Sequence, residues 1–192
     1  MVRKIGGKCS SSQQTHLKQN NTNISNKTDI ANTFSDTFRR NSSSEHYSQK
    51  FQKLKNHQER QKLNFTSPND ECYNSLFSMD ELKKSLQQSH DTATGPDQIH
   101  YQFLKHLPES SLLALLHIFN TIFQTGKFPK SWKEATIVPI PKPGKDNTDP
   151  LNYRPIALTS CLCKTMERMV NSRLTWFLQS NNIITPLQSG FQ

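Results

Sequence analysis

Three cations and a run of alternating prolines mark one stretch of this sequence, PIPKPGKDNTDPLNYRPIAL, Pro139–Leu158. Lys142, Lys145 and Arg154 stand in and beside its loop. Lysine brings a point charge and arginine a planar fork of donors, a combination suited to phosphate. Prolines at 139, 141 and 143 would ordinarily spoil a strand, because each removes a backbone donor. An antiparallel register that pairs Ile140 with Ile156 removes the conflict. If that pair is hydrogen-bonded, Pro139, Pro141, Pro143 and Pro155 all fall where the missing N–H would point away from the partner strand. The prolines then blunt the outer edges of a hairpin rather than break it. The same register sets Lys142 opposite Arg154. Like charges directly opposite each other are destabilising unless an anion sits between them. On charge alone, the competing reading is an ordinary hairpin with solvated lysines.

Other reactive residues give less. Asp146 and Asp149 lie in the loop and read as turn residues. The seven histidines show no metal-ligand spacing, and His100, His106 and His117 read as surface or boundary residues of helices. Cys161 and Cys163 form C-x-C rather than C-x-x-C, so the four cysteines read as reduced thiols of a cytosolic or nuclear protein. Trp132 and Trp176 could stack on bases, but each has apolar neighbours that favour core packing. Lys164, Arg168 and Arg173 follow one helix and form a candidate nucleic-acid-binding track, with a solvated helix face as the alternative.

These residues need elements to position them. Ser78 and Glu81 fit a capping box, opening a helix with Met79, Leu82 and Leu86 on one face. TATGPDQI is a turn-rich break, and IHYQFLKHL a short helix ended by Pro108. ESSLLALLHIFNTIFQTG carries a wide apolar face of Leu112, Leu115, Leu116, Phe119, Ile122 and Phe123, with Gly126 at its end. TSCLCKTMERMVNSRLTWFL predicts a long helix, with Leu162, Met166, Met169, Val170, Leu174 and Phe177 inward. Upstream, TDIANTFSDTF predicts one helix with Ile30, Phe34 and Phe38 on a narrow face and Thr28 as its N-cap. The expected fold class is α+β, mostly helical with one proline-edged β-hairpin. Residues 1–64 read as a polar, basic and partly disordered linker, and 65–192 as the ordered part, beginning near Phe65.

Composition bounds the partners. Of 192 residues only 32% are apolar, and mean hydropathy is −0.76. The net charge is +9, with eleven Lys or Arg against four Asp or Glu in residues 1–60. Such a balance points to a polyanion, nucleic acid before anionic membrane. No apolar run approaches the ~18 residues of a membrane span, and the N-terminus lacks a secretory core. A nuclear or cytoplasmic, non-secreted protein is expected.

Several motifs agree in order and spacing with one family. TATGPDQIHYQFLKHLP, FNTIFQTGKFPKSWKEATIVPIPKPGKD, NYRPIALTSCLCKTMERMVNSRL and LQSGFQ resemble the N-terminal half of non-LTR retrotransposon reverse transcriptases, nearest the jockey-like group. The resemblance is dense from Asp91 to Phe191. It implies that the helices and hairpin are the fingers of a right-hand polymerase. It also implies that Lys142 and Arg154, with Lys145 beside them, hold the triphosphate of an incoming dNTP. RNA template and RNA–DNA duplex would be the other partners. Two departures stand out. Gln98 replaces the usual glycine of the GPD-Gly-Ile turn, which argues against positive φ there, and Gln192 replaces the arginine that usually follows QSGF. The family's two magnesium ions are held by palm aspartates downstream of QSGF. No cofactor and no catalytic residue are therefore expected in this chain, which reads as a polymerase fragment truncated before those motifs. The alternative is a non-enzymatic, basic nucleic-acid-binding remnant.

Overall fold

The computed structural model describes residues 16–19, 22–62 and 71–183. Along the chain run β1 (Leu17–Gln19), β2 (Thr22–Ile24), α1 (Lys27–Asn41), α2 (Gln49–Glu59), α3 (Met79–Gln87), α4 (Tyr101–Lys105), α5 (Glu109–Thr125), β3 (Thr136–Pro141), β4 (Tyr153–Leu158) and α6 (Cys161–Ser180). Among the described residues this is a mostly helical α+β fold with two separate two-stranded sheets, β1–β2 and β3–β4. The chain forms two compact units. One holds residues 71–136 and 157–183, and the other holds 16–62 and 137–156. The expected onset of order near Phe65 and the QSGFQ motif lie outside the described residues.

The first unit is built on α3, α4, α5 and α6. Ser78 caps α3 as its sequence implies: its Oγ accepts from the Glu81 N–H, and Glu81 accepts from the Ser78 N–H. α5 starts at Pro108 and stops at Gly126. Leu82 and Leu86 of α3, Tyr101 and Leu104 of α4, and Leu112, Leu115, Phe119 and Ile122 of α5 are buried together. Burying each large apolar side chain is worth roughly 1.5–3 kcal/mol, which fixes these helices better than intrinsic propensity does. α6 contributes Cys161, Cys163, Met166 and Met169. Its buried face differs from the expected one beyond Met169. Val170 and Leu174 are exposed, and so is Trp176 at 55%. Trp132 is buried, edge-on to Phe119 and Phe128. The two tryptophans thus divide, one in the core and one at the surface.

The second unit joins the N-terminal segment to the long loop of the β3–β4 hairpin. Asn26, not Thr28, is the N-cap of α1; its side chain accepts from the N–H groups of Thr28 and Asp29 at 2.8 and 3.4 Å. Ile30, Phe34 and Phe38 share one face, as their spacing predicts. Phe34 meets Tyr153 edge-to-face at 4.7 Å, and Leu17 completes a small buried cluster with them. The Lys18 N–H donates to the Thr148 carbonyl, tying β1 to the loop. The segment also forms α2, capped by Ser48, which was expected as linker. Lysine, glutamine and asparagine dilute its apolar pattern, and no α2 residue is buried.

The break before α4 is a turn over Gly95–Gln98, closed by a Gln98 N–H to Gly95 carbonyl bond of 3.0 Å. A Cβ on Gly95 would sit 2.5 Å from the Ser160 nitrogen and 2.6 Å from the Thr159 carbonyl carbon, so the chain entering α6 requires glycine here. Gln98 adopts φ 56°, against the expectation drawn from its side chain. A left-handed non-glycine residue costs roughly 1–2 kcal/mol. Gln98→Gly should therefore raise the unfolding free energy of the first unit by about 1 kcal/mol. Gly95→Ala should lower it by about 2 kcal/mol or more through overpacking. Urea denaturation of the two variants checks both signs.

Candidate functional site

The cations of the β3–β4 hairpin are set by its turn and its register. Lys142, Pro143, Gly144 and Lys145 form a tight turn, with the Lys145 N–H on the Lys142 carbonyl at 3.3 Å and Gly144 at φ 70°. Proline second and a positive-φ glycine third are the marks of a type II turn. The Lys142 N–H donates to the Asn152 carbonyl at 2.8 Å. That bond pairs Lys142 with Asn152, two residues from the register expected. Continued through two six-residue strands, it sets Ile140 opposite Arg154 and Val138 opposite Ile156. A shift of two keeps every side chain on its face. Pro139, Pro141 and Pro155 thus keep positions whose N–H would point outward, while Pro143 serves the turn. Lys142 and Arg154 become diagonal neighbours about 7 Å apart rather than a directly opposed pair.

Each cation has a different local situation. Lys142 is half-buried, and its Nζ donates to the Leu151 carbonyl at 3.0 Å, leaving two N–H donors. Lys145 and Arg154 are exposed, with no side-chain partner among the described residues. The loop behind them is held by its own side chains. Asp146 accepts from the N–H and hydroxyl of Thr148, and these bonds hold its carboxyl below the usual carboxylate range. Asp149 accepts from the Leu151 N–H, and the Tyr153 hydroxyl donates to the Asn147 carbonyl at 2.8 Å. Both aspartates are turn residues, as their context implies. No group of three or more His, Cys, Asp or Glu among the described residues is arranged to hold a metal ion.

The cations of α6 have partners within the first unit. Lys164 Nζ reaches the Ala93 carbonyl at 3.4 Å. Arg168 donates to the Ser85 carbonyl at 2.9 Å and lies over the Tyr101 ring. Arg173 is 15% exposed and spends all five N–H donors. Two go to Glu81, at 2.7 and 2.8 Å, and three to the carbonyls of Tyr73, Ser75 and Leu76. Its guanidinium carbon lies 4.4 Å from the Phe77 ring centroid. The Arg173 hydrogen bond holds the Glu81 carboxyl below its ordinary value against the opposing effect of burial. Sequence spacing offered no sign of this pair, since 92 residues separate its members.

Arg173→Met should destabilise the first unit by about 3 kcal/mol, because Glu81 and three carbonyls lose their donor. The ion pair contributes fully above the ordinary Glu pKa, and its contribution fades as pH falls through the lowered one. Stability measured from pH 6 down to 3 (about the carboxylate range) should therefore fall less steeply for Glu81→Gln than for the parent chain. The thiols are a separate case. Cys161 and Cys163 are buried and reduced, and burial, aided by the Glu167 carboxylate 3.1 Å away, pushes Cys163 up to about 12. Both should resist alkylation near neutral pH until urea unfolds the chain, as mass spectrometry of the labelled protein would report.

No family model matches the chain. It is 41% identical over 98 residues, 51% of its length, to a probable RNA-directed DNA polymerase from transposon BS of Drosophila melanogaster. It is 39% identical over 100 residues to the RNA-directed DNA polymerase from mobile element jockey of the same fly. A third relative, a probable RNA-directed DNA polymerase from transposon X-element, is 36% identical over 107 residues. The matched segment spans only 11–12% of these relatives' own length. Over about half its residues, the chain is therefore similar to one short segment of the RNA-directed DNA polymerases of jockey-like and other Drosophila non-LTR mobile elements.

Proposed function

We propose that the chain is a segment of a non-LTR retrotransposon RNA-directed DNA polymerase, contributing contacts to the dNTP triphosphate and to the template, with the β3–β4 hairpin as its fingers. The observation that carries this reading is the gathering of Lys142, Lys145 and Arg154 around one hydrogen-bonded turn. Arg154 offers a planar fork to adjacent phosphate oxygens, and Lys142 adds a positioned ammonium with two remaining donors. The diagonal spacing suits a chain of linked phosphates better than direct opposition would. On α6, Lys164 and Arg168 retain spare donors for a nucleic-acid backbone, while Arg173 would have to give up Glu81 to join them. The net charge of +9 favours such a partner.

Nucleotidyl transfer needs metal ions held by carboxylates. By resemblance, the carboxylates that do this in such polymerases lie in motifs downstream of QSGF, so the segment alone is proposed to bind without incorporating nucleotide. Calorimetric titration with dTTP tests the hairpin. The Lys142→Ala/Arg154→Ala double variant should bind at least about tenfold more weakly, as expected for lost bonds to a charged ligand. Equal affinity for parent and variant would sink the triphosphate assignment. Incorporation of dNTP by the isolated chain on a primed template would sink the non-catalytic one.

A further inference from the structure

A groove lies between α3 and α6 in the first unit, with a volume of about 430 Å³. That volume falls in the range of small-molecule sites. Its walls are two pairs of residues, each pair one helical turn apart: Lys84 on α3 with Gln88 at the C-cap of that helix, and Ser172 and Trp176 on α6. Met169, the largely buried Arg173–Glu81 pair and Tyr73 also line it. Arg173 is fully committed there. Trp176 is 55% exposed, and its indole N–H has no partner among the described residues. Lys84 and Gln88 are exposed and likewise have no side-chain partner there.

We infer that this groove binds one nucleotide of a single-stranded nucleic acid, with its base stacked on Trp176 and its phosphate near Lys84. Three observations carry the assignment. A large aromatic face stands open beside a pocket rather than in the core, and base–aromatic stacking needs such a face. The opposite wall supplies a cation with no ion pair and, one turn on, an amide able both to donate to and to accept from a base edge. The whole chain's net charge of +9 favours a polyanion, and Lys84 is the groove's own cation, unpaired among the described residues. None of these residues belongs to the hairpin, so this site stands apart from the triphosphate reading.

The test uses the whole chain and a ten-nucleotide adenine RNA. Trp132 is 9% exposed and closed to stacking, so a change in intrinsic fluorescence on adding RNA reports on Trp176. The RNA should quench that fluorescence saturably. By fluorescence anisotropy of labelled RNA, Trp176→Leu should bind about tenfold more weakly and Trp176→Phe within about threefold of the parent. Lys84→Gln should reduce the slope of log affinity against log salt by about 0.7. Thermal melts of the Trp176 variants should match the parent, since the side chain is exposed. The Lys142→Ala/Arg154→Ala variant should keep the quench, so failure of the hairpin reading and failure of this one are distinguishable. RNA binding without quench, unchanged affinity in Trp176→Leu, or AMP binding as tightly as the RNA would each overturn the assignment.

Discussion

The first unit depends on one guanidinium. Arg173 closes all five of its N–H bonds onto α3 and the segment that leads into it, and its guanidinium sits over the Phe77 ring. The same Glu81 carboxylate that receives Arg173 also completes the N-terminal cap of α3. Helix initiation and the packing of α3 on α6 therefore share one side chain. A carboxylate can accept several bonds at once, and an arginine can donate several in a plane, so the geometry is available to this pair and not to Glu–Lys. The loop carbonyls of Tyr73, Ser75 and Leu76 have their partner in the same cation, which answers the demand that sheltered backbone groups be bonded.

The second unit solves a different problem. A two-stranded hairpin is marginal by itself. Ile137, Ile140 and Ile156 remain exposed on this one, so its faces contribute little burial within the unit. Order comes from the loop instead. Asp146 and Asp149 bind nearby N–H groups, Tyr153 bonds back to Asn147, and Phe34 of α1 packs on the Tyr153 ring. The prolines of β3 and β4 leave the ladder intact while removing donors from its outer edges. A basic turn is thus supported through its loop by an aromatic cluster.

Local features were legible in the sequence, and distant ones were not. The capping box at Ser78, the end of α5, the hairpin and the face of Ile30, Phe34 and Phe38 each follow from residues within a few positions of one another. The hairpin register was right in parity and wrong by two, because alternation fixes which face a residue takes but not which partner it meets. The cations of α6 looked like a track for a polyanion since charge is visible in sequence and a partner 92 residues away is not. Trp176 was hidden for the same reason. Its apolar neighbours Val170 and Leu174 turn outward with it, and the buried residues of the helix are Cys161, Cys163, Thr165, Met166 and Met169. The positive φ at Gln98 overrides side-chain preference in a turn whose first residue, Gly95, lies tightly against Thr159 and Ser160.

Neither unit is continuous along the chain. The first is interrupted by residues 137–156, and the second joins α1 to a loop more than a hundred residues further on. This ordering bears on how the protein is made. As the chain leaves the ribosome, α1 must wait for Tyr153 before its aromatic face is covered, and α3 must wait for Arg173. Closing such long loops carries an entropic cost before any contact compensates it. Folding is therefore confined to a late stage of synthesis, and an early translational pause would leave Phe34 and Phe38 open to unwanted partners.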